Sequence, residues 1–137
     1  MNNSAIERAK AWCNHPAIDL KDRQEIQNLL DQKNDQEIQD RFYRGLEFGT
    51  GGMRGVLGMG ENRINKYTVR RAAQALAMTL KKHFPQGSSI VVSYDSRHGS
   101  REFAEETLCV MAAHGMKGRI FRALTPTPML SYAIRYY

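Results

Sequence analysis

The sequence predicts an α/β fold preceded by a helical arm, and three observations carry that expectation. Two β-branched runs, Ser88–Tyr94 and Gly118–Ala123, flank a helix-patterned segment at 100–114. Strand, helix and strand in that order form a β–α–β unit, with parallel strands and a right-handed crossover. A long alanine-rich segment at 66–83 precedes the unit and can lie close against a sheet. Before it, three polar amphipathic segments fill the first 45 residues, without a strand signal among them. The expected organisation is therefore an arm over 1–45 and an α/β domain over 46–137.

The first helix is expected over 4–14, with Ser4 or Asn3 as its cap and Ile6, Ala9 and Trp12/Cys13 on one face. His15-Pro16 ends it, because the residue before proline avoids helical angles. A second helix at 21–31 turns Ile26, Leu29 and Leu30 inward. A third at 35–44 opens on an acidic turn and stops at Gly45. The arm is amphipathic rather than self-sufficient, so its expected role is to pack against the adjoining α/β domain, and no chemistry is assigned to it. Asn65 caps the long helix at 66–83, whose inward face is expected to be Val69, Ala72, Ala73, Leu76 and Leu80. The Ser88–Tyr94 run has the composition of a buried strand. Ser100 opens the next helix, with Phe103, Leu108, Met111 and Ala112 inward, and Gly115 closes it. Thr127 caps a last helix with Pro128 at its first position. That helix runs to Tyr137 without a glycine stop or a polar tail. Two strands are also few for a parallel sheet, so the chain is expected to be cut short.

Between arm and domain lies Leu46-Glu47-Phe48-Gly49-Thr50-Gly51-Gly52-Met53-Arg54-Gly55-Val56-Leu57-Gly58-Met59-Gly60. Six glycines fall within twelve residues of this stretch, with one threonine and one arginine among them. Glycine lets a ligand approach the main chain closely, so several N–H groups can converge on one anion while Arg54 adds a planar fork of donors. A phosphate-holding loop is one meaning; a flexible linker is the other. Linkers are usually Gly/Ser mixtures, and the Phe, Met, Val and Leu threaded through this stretch look buried, which favours an ordered loop. The pattern is neither a Walker A loop, lacking Gly-Lys-Ser/Thr, nor a dinucleotide fingerprint, since the third glycine position falls on Arg54.

Composition narrows the function. No apolar run approaches the ~20 residues that span a bilayer, and the N-terminus has no signal-peptide pattern, so no membrane partner is expected. Cys13 and Cys109 are far apart and read as reduced thiols of a cytoplasmic protein. The four histidines lack ligand spacing, so no metal site is expected. Net charge is +6, but residues 1–47 carry −2 and residues 48–137 carry +8. The positive half is the half with the glycine stretch. Its charges come singly or in pairs without interleaved aromatics, which favours a small anion over nucleic acid.

Open α/β sheets collect ligands beyond the carboxyl ends of their strands, which puts Asp95, Ser96, Arg97 and His98 on the functional rim, together with Thr125–Pro128. Asp95 reads either as a base or metal ligand or, preferably, as the acceptor that holds its own loop. Arg97 could grip phosphate or pair with Asp95 or Glu102. Ser93, Ser96, Ser100 and Ser131 lack a Gly-x-Ser-x-Gly setting, so none is read as a nucleophile.

Phe48-Gly49-Thr50-Gly51-Gly52-Met53-Arg54-Gly55 resembles the N-terminal signature of the α-D-phosphohexomutases. The likeness continues in order through Asn65–Leu80, Ile90–Arg97 and Thr125-Pro126-Thr127-Pro128, covering roughly residues 40–137. The arm and the Gly-Thr-Gly-Gly-Met-Arg variant are most similar to the phosphoglucomutase/phosphopentomutase branch. The resemblance implies a three-layer α/β/α first domain with an incomplete mixed or parallel sheet. It also implies a magnesium-dependent isomerase of carbohydrate metabolism. Such an enzyme moves a phosphoryl group between the 1- and 6-positions of a hexose, or 1 and 5 of a pentose, through a phosphoserine and a bisphosphorylated sugar. Sugar phosphates and the remaining domains of a longer enzyme are the implied partners, with Mg²⁺ and glucose 1,6-bisphosphate as cofactors. By carry-over Arg54 reaches the active-site phosphoryl group, Thr50, Gly51 and Gly52 shape its loop, and Arg97 supports it. The Thr-Ala-Ser-His-Asn-Pro and Asp-x-Asp-x-Asp loops of the family are absent from this sequence. Alone it is expected to be inactive; the alternative is a non-catalytic anion- or partner-binding module on the same domain.

Overall fold

In a computed structural model, residues 3–50 and 52–137 are described. They form six helices and four strands: α1 (Asn3–Asn14), α2 (Leu20–Asp31), α3 (Asp35–Phe42), β1 (Phe48–Gly49), β2 (Gly52–Met53), α4 (Lys66–His83), β3 (Ser89–Val92), α5 (Ser100–Ala113), β4 (Lys117–Ile120) and α6 (Thr127–Tyr136). By contact, the chain divides into two compact units, Met1–Thr68 and Val69–Tyr137. The division falls inside α4, so the first unit holds the arm, the glycine stretch and the first turn of that helix.

The first unit has its own core. Ala5, Ala9 and Trp12 of α1, Ile18, Ile26 of α2, and Ile38 and Phe42 of α3 are buried together, with Met59 and Tyr67 packed against them. The arm, expected to need a partner, supplies most of this core itself because its three apolar stripes face one another. The Trp12 ring meets Phe42 and Tyr67 edge-on, with centroids 5.9 and 5.3 Å away. Polar bonds tie α2 to the start of α4. The Tyr67 hydroxyl donates to Asp22 at 2.6 Å and accepts from the Asp19 N–H at 2.9 Å. Lys66 pairs with both Asp19 and Asp22.

Helix ends obey local chemistry, with three departures: α6 begins at Thr127, the residue expected to cap it, with Pro126 in the cap position and no side-chain cap bond, and the other two are at α2 and α3. α2 stops in a Schellman turn, where Lys33 N–H donates to Leu30 O and Asn34 N–H to Leu29 O. The left-handed position of that turn is Lys33, at φ 51°, rather than a glycine. α3 ends at Phe42, short of the expected Gly45, and its Asn34 cap accepts from the Glu37 N–H.

In the second unit β3 and β4 pair in parallel, Ser89 with Lys117 through Val92 with Ile120. α5 bridges them, completing the expected β–α–β unit. The ladder is shorter than the two β-branched runs, which continue as looser contacts such as Tyr94 Oη donating to Arg122 O at 3.0 Å. β3 is only half-buried, because among the described residues its sheet has a single partner strand. The sheet is thus incomplete for its α/β/α class. α5 ends at Gly115, φ 79°, where Gly115 N–H bonds Ala112 O and Met116 N–H bonds Met111 O. Met111 and Met116, brought together by that turn, join Ala73 and Ala77 of α4 in a small core. The expected inward faces are corrected at two places: Ala77 is buried where Leu76 is 49% exposed, and Ala104 is buried where Ala112 is not.

Lys33→Gly relieves a left-handed lysine in the first unit and is expected to raise its stability by about 0.5–1 kcal/mol, read by chemical denaturation. Burial works against ionisation of Asp22, but the bonds from Tyr67 and Lys66 outweigh it and hold the carboxyl below its ordinary 3.8. Lys66 is held above its ordinary 10.5, first by its bond to Asp19. A lowered carboxyl stabilises above its unfolded value and loses that contribution as pH falls through the folded one. A raised amine does the reverse, losing its contribution above pH 10.5. Fluorescence of the single Trp, Trp12, should therefore report acid unfolding below about pH 4 that is shallower in Asp22→Asn, with lower stability at neutral pH. An unchanged acid limb would remove Asp22 from this role.

Candidate phosphate-binding site

The glycine stretch is a hairpin on an anchored return limb. β1 and β2 pair antiparallel, Phe48 opposite Met53 and Gly49 opposite Gly52, with Thr50 exposed in the turn. Gly51 lies outside the described residues. The return limb is bound tightly to α3. Arg41 pairs with Glu37 and Glu25 and donates to Met59 O at 3.1 Å. Arg63, only 6% exposed, pairs with Asp40. Asn62 donates to Asp40 O from its side chain and to Arg41 O from its main chain. Arg8 of α1 grips Glu61.

Asn65 gathers this limb onto the helix start. Its carbonyl oxygen accepts from the N–H groups of Tyr67 and Thr68 at 3.0 Å, capping α4 as its position predicts. Its amide donates both hydrogens, to Gly58 O and Gly60 O at 2.9 Å. Thr68 Oγ1 in turn accepts from Asn65 N–H at 3.1 Å, a capping box with threonine in place of glutamate. Gly60 closes the bend at φ 129°, where an added Cβ would stand 2.8 Å from Arg41 Cβ and 3.0 Å from its carbonyl oxygen.

Beside the hairpin is a cavity of about 220 Å³ lined by Gly49, Gly52, Arg54, Arg44, Glu47 and Asn62, with Leu46. At ~30 Å³ per water it holds about seven water volumes, room for a phosphoryl group and part of its hydration. Arg54 is exposed, and no ion pair engages it among the described residues. Arg44 leans on the Tyr43 ring, 5.1 Å from its centroid, and approaches Glu47 at 3.8 Å. The apolar residues expected to be buried in this stretch are mostly not: Phe48 is 76% exposed and Val56 66%, while Met59 packs against the core. Polar anchors, not apolar burial, order the loop.

Of the expected site residues, Gly52 and Arg54 line the cavity and Thr50 stands in the turn beside it. Arg97 belongs to the second unit. There Asp95 accepts from the Arg97 main chain at 3.1 Å and from its Nε at 2.8 Å, while Ser100 Oγ accepts from Asp95 N–H. The Arg97 N–H bond, first, and its companions hold the Asp95 carboxyl below its ordinary value. Asp95 thus holds its own loop. Among the described residues no group of three or more His, Cys, Asp or Glu side chains is placed to hold a metal ion. These residues do not fit Mg²⁺, and no step is derived through it. Arg44 is the residue that sequence reasoning missed; it lies ten positions before Arg54, and only pairing of β1 with β2 brings the two flanks together.

A glycine hairpin with an exposed arginine, followed by a parallel β–α–β unit, places the chain among the α/β proteins. Residues 45–137 match the family model for phosphoglucomutase/phosphomannomutase, alpha/beta/alpha domain I. The chain belongs to that family and carries its first domain. It is similar to a phosphoglucomutase of Staphylococcus epidermidis, 35% identical over 87% of this chain and 22% of the relative. A phosphoglucomutase of Staphylococcus aureus (strain USA300) is 37% identical over 80% of this chain and 20% of the relative. The chain spans about a fifth of the length of these curated relatives. No solved structure matches it significantly. Among the described residues no helix is long and apolar enough to cross a membrane.

The cap at Asn65 is the point on which the loop hangs. Asn65→Ala removes a buried acceptor and two donors and is expected to cost about 2–4 kcal/mol in denaturation experiments. Asn65→Asp, which keeps the cap but faces two carbonyls with a carboxylate, is expected to rescue little of it.

Proposed function

We propose that the β1–β2 hairpin is one wall of a sugar-phosphate mutase active site, with Arg54 reaching the phosphoryl group that is transferred. The observation that carries this is the cavity of about 220 Å³ lined by Arg54, which has no ion pair among the described residues, and by the main chain of Gly49 and Gly52, in a chain of the phosphoglucomutase/phosphomannomutase family. Phosphoryl transfer rests on positioning and on neutralising charge spread over the equatorial oxygens. Arg54 supplies a planar fork for that charge, and the anchored limb behind it keeps the fork from drifting. Thr50 and Gly52 shape the loop, a role that the family resemblance extends to Gly51, and Arg97 has a supporting role toward the phosphoryl group. In this reading the reaction interconverts a hexose 1- and 6-phosphate, or a pentose 1- and 5-phosphate, through a phosphoserine and a bisphosphorylated sugar.

The phosphoserine lies in another part of the first domain, and the ligands for Mg²⁺ and the sugar-specificity loops in further domains, of a longer, cytoplasmic enzyme for which glucose 1,6-bisphosphate is the activating cofactor. The arm over 1–45 and the α/β domain over 46–137 are its leading segments. Exposed Met129, Tyr132, Ile134 and Tyr136 on α6 support the presence of such covering domains. On this account the chain alone has no mutase turnover.

The test is a graft of this chain in place of the matching stretch of the Staphylococcus aureus phosphoglucomutase. The folded graft is expected to interconvert glucose 1- and 6-phosphates. Arg54→Gln in it should lower kcat by about 10²–10³ with little change in Tm, since Arg54 is exposed. An unaltered kcat would take Arg54 out of the site; turnover by the isolated chain would refute the division of labour.

A further inference from the structure

The cavity beside the hairpin has two arginines in its wall, Arg54 and Arg44. We propose that Arg44 is the second anion-holding residue of this cavity and that Glu47 is its resident counter-ion, displaced when phosphate enters. The inference rests on the phosphate reading of the hairpin and adds a binding residue and a competition to it.

Three observations support it. Arg44 and Arg54 line the same cavity, with Glu47 as the carboxylate in its wall. The Arg44–Glu47 contact is loose: 3.8 Å, with side chains 54% and 76% exposed. Exposed pairs of this kind contribute little, and a dianion offering several oxygens competes well with one carboxylate for a guanidinium. Finally, the Tyr43 face under the Arg44 guanidinium, 5.1 Å away, limits the freedom the side chain would lose on binding. Glu47 immediately precedes β1 and Arg54 immediately follows β2, and both line the cavity, so the carboxylate shares with Arg54 the space that an anion would enter. With Glu47 in place the cavity is screened from weak monoanions. A phosphoryl dianion gains two forks when it displaces that carboxylate.

The probe is inorganic phosphate, titrated into the ¹⁵N-labelled chain at constant ionic strength and followed at the Gly49, Gly52 and Arg54 amides. Wild-type shifts at these amides should saturate. Arg44→Gln should weaken the apparent Kd about three- to tenfold and Arg44→Lys less, because lysine keeps the charge but loses the fork. Glu47→Gln should tighten it by about two- to fivefold. Lys10→Gln, at an exposed position of α1 that does not line the cavity, should leave the Kd unchanged. Thermal melts establish that each exposed-site variant is folded. If Arg54→Gln abolishes the shifts while Arg44→Gln and Glu47→Gln leave Kd as in wild type, the Arg44 proposal is overturned and the hairpin reading survives. If wild type shows no saturable shift at these amides, both fall.

Discussion

Four hydrogen bonds to one buried side chain hold the glycine-bearing half of the first unit together. Asn65 is 2% exposed and uses every hydrogen-bonding position of its side-chain amide: two helix N–H groups on one end, two glycine carbonyls on the other. In a low-dielectric interior such a fully satisfied group is rigid, and losing any partner leaves another unmet. The bend of the return limb, the start of α4 and the position of the hairpin all inherit their geometry from it. Arg41 and Arg63 extend the same logic outward by bonding the limb to α3. Charge and main-chain bonding here do what apolar burial does elsewhere, since Phe48, Val56 and Leu57 of the same stretch face solvent.

That division between an anchored limb and a free tip suits a phosphate-handling loop. Arg41 and Arg63 have carboxylate partners and are committed to structure. Among the described residues Arg54 has no such partner, and Arg44 has only a loose one. Cations that are not neutralised keep their attraction for an incoming anion, and the glycines let it approach the main chain. The second unit is built on different terms. Its methionines and alanines make a small core, while its sheet is half-buried and α6 carries apolar side chains into solvent. Such surfaces are ordinarily covered in an α/β/α domain, in keeping with a chain that spans about a fifth of its relatives.

Much of the fold was legible because its signals are local. Proline after α1, glycine after α5 and asparagine before α4 act through backbone angles and caps that need no distant neighbour. Hydrophobic period located all the long helices for the same reason. What misled was burial. Leu76 and Ala112 fit an inward stripe by spacing, but the stripe is wide, and which edge of it is covered depends on the helix that packs there. Lys33 in a left-handed turn also carries no sequence sign, since the turn is imposed by the bonds to Leu29 and Leu30.

The sequence by itself determined the α/β class, the likeness of residues 48–55 to a phosphohexomutase signature, and the expectation that Arg54 and its glycines handle phosphate. Those rest on residue types at fixed spacing, which any folding context must respect. Tertiary structure decided that the arm has its own core, that polar anchors order the loop, and that Arg44 and Glu47 share a cavity with Arg54. These depend on pairing and packing between segments far apart along the chain, and a contact formed at that range leaves no trace in local spacing.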